Sequence, residues 1–101
     1  MIERIKENEL RFDNILLNVK ELEVALNNFK NNEKDLFLLN KYYGSKNWFK
    51  DKELYENNKI KNIKAGVLSE DGIWNMLEDI NNIINDMELI VNKYRKEKEY
   101  E

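Results

Sequence analysis

Two apolar series constrain this chain more than anything else in it. Phe12, Ile15, Val19, Leu22, Leu26 and Phe29 recur at alternating steps of three and four, with Ile5 one heptad before Phe12. Ile73, Leu77, Ile80, Ile84, Met87, Val91 and Tyr94 repeat the pattern without a break in the last third. Such steps keep side chains on one face of a 3.6-residue turn and would scatter them over both faces of a strand, so both segments predict long amphipathic helices. The first, from Ile2 to near Asn31, would be about 45 Å long at ~1.5 Å per residue. Leu16 widens the first stripe, and Met76, Ile83 and Ile90 widen the second, so that each helix calls for more than one neighbour.

No proline interrupts either series, and all three glycines, Gly44, Gly66 and Gly72, lie between their main runs. Special backbone geometry is therefore concentrated in the middle. There the chain reads Tyr42-Tyr43-Gly44-Ser45-Lys46-Asn47-Trp48-Phe49-Lys50-Asp51 and then Gly66-Val67-Leu68-Ser69-Glu70-Asp71-Gly72. Asn27-Asn28 and Asn31-Asn32 weaken the end of the first helix, and a second helix is expected over 33–43, carrying Leu36, Phe37, Leu39 and Tyr43. Gly44 suits the left-handed residue beyond that helix, and Ser45 can cap the next one through its hydroxyl. A corner and loop follow over 44–68, with at most one helical turn around Ile60 and Ile63, closed by Gly66. Ser69 is the strongest helix start. Glu70 and Asp71 complement the N-terminal dipole and Leu68 can pack on Ile73, although Gly72 stands where a full capping box has glutamate or glutamine. The last helix is expected over 69–98, with the charged stretch beyond Tyr94 frayed.

The reading is all-α: one domain over 1–101, an antiparallel helical bundle of two long helices (1–32 and 69–98) with short helices at a central aromatic corner. At 101 residues, 42% apolar and 37% charged, the chain supports one modest core and is too apolar for a disordered tail. The broad stripes predict binding to itself or to a protein partner, with a homodimer completing a four-helix core slightly ahead of a monomer.

Composition also removes chemistry. The sequence has no histidine and no cysteine, so hydrolase nucleophile and base pairs, thiolate metal sites and disulfides cannot be assembled. Ser45 and Ser69, the only serines, both have cap roles and neither starts an S-x-x-K motif. No catalytic residue and no cofactor is expected. Asp51, Glu70 and Asp71 would form a cation site only if the two central segments met. Among twenty acidic residues that signal is weak against dipole compensation by Glu70 and Asp71 and a structural role for Asp51 through backbone or Trp48 contacts. Lys59, Lys61 and Lys64 form a basic run, but a net charge of −3 argues against nucleic acid as a partner. The charged start lacks a secretory apolar run and nothing nears the roughly 20 residues of a membrane span, so a cytoplasmic protein is the expectation. Abundant asparagine, lysine and isoleucine suit AT-rich codons of a low-GC bacterium or its phage.

The blocks Tyr42-Tyr43-Gly44-Ser45-x-x-Trp48-x-x-Asp51 and Lys64-x-Gly66-Val67-Leu68-Ser69-Glu70-Asp71 resemble a bacterial domain-of-unknown-function family, number 4298. The likeness spans most of the chain, residue by residue in these blocks and by pattern in the arms. It implies no activity, cofactor or catalytic residue. That family often carries a proline shortly before the second block, and another can precede the second helix; this chain has neither.

The function expected is therefore that of a small helical interaction or regulatory protein without catalysis. Its interaction corner would comprise Tyr42, Tyr43, Trp48, Asp51, Glu70 and Asp71. Trp74 could close that corner or stand in an interface. Two alternatives are an inhibitor of a host effector from a phage or mobile element, similar to anti-CRISPR proteins, and a carboxylate metal-site protein.

Overall fold

The computed structural model describes residues 1–99, which form four α-helices and one 3-10 turn, with no strand among the described residues. The fold is all-α, with a long helix toward each end. Contacts divide the chain into two compact units, Met1–Leu39 and Asn40–Glu101.

The first unit holds α1, Ile2–Asn31, and most of α2, Glu33–Tyr42. Only Asn32 separates them. Its backbone, at φ −96° and ψ 0°, lies near the helical region, so the asparagines interrupt the helix for one residue. The Asn32 N–H donates to Phe29 O, and its carbonyl accepts from Leu36 N, which starts the hydrogen bonding of α2. Along α1 no side chain is buried.

The second unit contains the end of α2, α3 (Lys46–Glu56), the 3-10 turn Gly66–Leu68 and α4 (Gly72–Glu99). Its core is small and sharply placed. Trp48 on α3, Leu68 on the turn and Ile73 on α4 are the buried apolar residues among those described. The 3-10 turn packs against both α3 and α4, and so holds the three together. Leu68 and Ile73 occupy the two staple positions around Ser69.

Each boundary in this unit has an identifiable cause. Ser45 N–H donates to Tyr42 O, closing a turn whose third residue, Gly44, has φ 76°, a geometry that glycine adopts without a Cβ clash. Ser45 then caps α3, accepting from Trp48 N at 3.2 Å. At the far end, Lys59 N donates to Leu54 O and Asn58 N to Tyr55 O, the paired bonds of a Schellman motif, with Asn58 at φ 58° in the position glycine usually takes. Asn62, at φ 60°, turns the chain again. Two asparagines thus reverse a loop that has no proline, a role that composition alone does not disclose.

Gly66 opens the 3-10 turn, where the sequence suggests that it closes an earlier one. The reason is its carbonyl, which accepts from Ser69 through both the backbone N–H and Oγ. α4 runs on through Arg95–Glu99, where fraying is expected from sequence, because Lys96 and Lys98 in its last turn complement the helix dipole. The expectation for Tyr100 and Glu101 lies outside the described residues.

Candidate functional site: the aromatic corner

The corner is built around one indole. Trp48 sits in the first turn of α3, 5% exposed, and its Nε1–H donates to Val67 O at 2.8 Å. That bond satisfies the only polar atom of the side chain while pulling the 3-10 turn onto α3. Tyr43 and Phe49 meet the indole edge to face, with centroids at 5.2 and 5.0 Å. Phe49 is otherwise exposed, and so is Trp74, which does not join the buried corner.

The polar groups are paired off around this centre. The Tyr42 hydroxyl donates to Asp51 Oδ2 at 2.6 Å, linking the end of α2 to the middle of α3. Asp51 therefore anchors the corner through a phenol, not through the backbone or Trp48. The carboxylate bond, with some desolvation and the adjacent negative charge, pushes the Tyr42 phenol up to about 12. Lys52 lies one helical turn after Trp48, placing Nζ 5.0 Å from the indole centroid and 3.2 Å from Glu70 Oε1. The Glu70 end is exposed, which limits this ion pair to a small contribution. The Tyr43 hydroxyl reaches the Glu70 carbonyl at 3.4 Å, a long bond and a weak one.

At the head of α4, Ser69 Oγ accepts from Gly72 N at 3.0 Å and donates to Gly66 O at 2.8 Å. This explains the incomplete capping box. A Cβ on residue 72 would lie 2.6 Å from Ser69 Oγ and 2.9 Å from Gly66 O, so the close fold of the turn excludes any side chain there. The Asp71 carbonyl accepts the early helical bond from Asn75 N.

Of the six sequence-nominated residues, Tyr42 and Asp51 meet directly, Tyr43 and Trp48 meet as rings, and Glu70 reaches the group through Lys52 and Tyr43. Asp51, Glu70 and Asp71 do not gather: no group of three or more acidic side chains suited to a cation occurs among the described residues. Sequence reading missed Lys52, whose four-residue spacing from Trp48 was the available signal. It also missed the Val67 carbonyl, for which residue type carries no signal. Beside the corner lies an open hollow of about 440 Å³, bordered by Lys52, Tyr55, Ser69 and Glu70 among others. Lys52 and Ser69 already have protein partners.

A family model described as domain of unknown function (DUF4298) matches residues 5–97. The chain belongs to that family. The match takes in most of both long helices and the whole corner. No curated protein and no solved structure matches the chain. No helix among the described residues is long and apolar enough to cross a membrane.

Proposed function

We propose that this DUF4298 chain is a non-catalytic helical interaction protein whose apolar seams bind a second copy or a protein partner within a helical bundle. One observation carries the reading: Phe12, Ile15, Val19, Leu22, Leu26 and Phe29 form a continuous seam on α1, and all are 38% to 63% exposed. Single exposed apolar residues are ordinary on a protein surface, but an aligned seam over about five helical turns is the pattern of an interface. The α4 seam continues the theme, since Ile84, Met87, Val91 and Tyr94 are exposed.

A second stripe on α1 strengthens the case. Leu10, Leu17 and Val24 are spaced by seven and exposed, and at about 100° per residue they fall on the side opposite the main seam. A helix apolar on two sides needs neighbours on both.

The corner supports the absence of catalysis. Tyr42, its one strongly shifted group, moves away from neutrality, whereas a proton-transfer residue needs a value near the working pH. The hydroxyls of Ser45 and Ser69 accept helix-cap bonds.

The test is light scattering of the purified chain, combined with crosslinking in its native cell, for wild type and for Leu22→Lys and Met87→Lys. The seam variants are expected to lose whatever association the wild type shows. A wild type that is strictly monomeric and captures nothing, or seam variants that retain full binding, would overturn the reading.

A further inference from the structure

We infer that the α1 seam is covered by α1 of a second copy running antiparallel, with Phe12 opposite Phe29, Ile15 opposite Leu26 and Val19 opposite Leu22 across a two-fold axis; this rests on the interaction reading above and names its partner. The α1 helices would cross at the three-four spacing of a coiled coil, where each side chain fits between those of the facing helix.

Charge selects the register. The alignment brings Glu9 beside Lys30 of the second copy, and the two-fold repeats that pair at the other end. Neither residue has an ion-pair partner among the described residues of its own chain. Sliding the helices by one heptad one way sets Glu9 against Glu23. Sliding them the other way sets Glu23 against Glu23. Both alternatives put like charges at flanking positions and shorten or interrupt the apolar contact.

Direction is selected by Asn8. A parallel pair would place Arg4 near Glu9 of the other copy, but it would also stack Asn8 on Asn8 between the Ile5 and Phe12 layers. An asparagine in such a layer helps only if it bonds across the interface. Here Asn8 is committed within its own helix: Nδ2 donates to Arg4 O at 2.9 Å, and Oδ1 accepts from Arg11 at 3.1 Å. The antiparallel pair has an apolar residue in each of its six central layers.

The absence of native cysteine makes the arrangement directly readable. Phe12→Cys and Phe29→Cys chains, full length, are mixed and oxidised under mild conditions. Antiparallel pairing predicts the mixed 12–29 disulfide. Phe12→Cys alone should give almost no disulfide dimer, because residues 12 and 29 differ by 17 positions, or about 25 Å along the axis, against a bridging limit of about 7 Å. Efficient bridging of Phe12→Cys to itself would overturn the antiparallel pair. A second measurement, light scattering, reads the charges at these exposed positions, with helicity by circular dichroism checked in each variant because Lys30 lies in the last turn of α1. Lys30→Glu should weaken dimerisation roughly tenfold, and Glu9→Lys combined with Lys30→Glu should restore it. A wild-type monomer would overturn the second copy as the occupant, while partner capture that is lost in Leu22→Lys would still uphold the broader interaction reading.

Discussion

The corner and α1 put their apolar side chains to opposite ends. In the corner, Trp48, Leu68 and Ile73 are buried by three stretches of chain, and Tyr42, Trp48 and Ser69 have hydrogen-bond partners around them. In α1, thirty residues of regular helix bury nothing. The difference is one of closure. A short helix followed by a tight turn can fold back on itself, whereas a straight helix can only offer its face to another helix. Isolated helices gain little from propensity alone, so the exposed arm depends on what packs against it. The corner is finished within one chain, and the α1 seam is what the proposed association would finish.

The sharpest way to break that contrast is Trp48→Ala. Removing the central indole and its bond to Val67 should cost about 3–5 kcal/mol in urea denaturation, a large share of the stability of a small domain. A loss below about 1 kcal/mol would show that the corner is not the organising core.

Gly72→Ala comes next, with an expected loss of about 1–3 kcal/mol, since its new Cβ meets the Gly66 backbone. Gly66→Ala is the matched control. Its Cβ meets nothing within 4 Å, so stability should hold or rise by up to about 1 kcal/mol.

Tyr42→Phe should cost about 1–2 kcal/mol at neutral pH through loss of the Asp51 hydrogen bond. The same residue predicts a pH effect with a definite sign. The folded phenol holds its proton up to about 12 and the ordinary one up to 10.0, so the unfolded chain binds fewer protons across that window. Wild-type stability therefore falls as pH rises from about 10 to about 12, and this contribution is fully present below 10. Tyr42→Phe should flatten that part of a thermal-denaturation pH series.

The smallest effect on the single chain belongs to Leu22→Ala, expected within about 0.5 kcal/mol when unfolding is followed under dissociating dilution, because Leu22 is exposed there. Its effect on association should be far larger. Equal effects on the two readouts would erase the distinction between corner and arm.

The long helices were legible because a three-four apolar rhythm has only one regular solution. Ser45 and Ser69 were legible as caps, since the sequence placed them beside a turn residue or dipole-matching acids, and the structure gives both hydroxyls that work. The Tyr42–Asp51 bond was not. Nine residues separate the pair, and their meeting depends on how sharply Gly44 turns the chain. The asparagines mislead in the same way. Treated as compositional bias, Asn58 and Asn62 prove to hold the left-handed positions of the loop, because a positive φ depends on the path of the chain and not on residue type alone.

From sequence alone came the helix periods, the Gly44–Ser45 boundary, and the lack of histidine and thiol chemistry, all of which are local or compositional properties; α4 itself starts at Gly72, three residues later than expected. Tertiary structure decided which of many apolar residues became core. Trp48 and Trp74 belong to the same residue type in neighbouring motifs, yet one is enclosed by the 3-10 turn and the other stands in solvent. Burial depends on what other segments bring to a side chain, and that is settled only when the chain has turned.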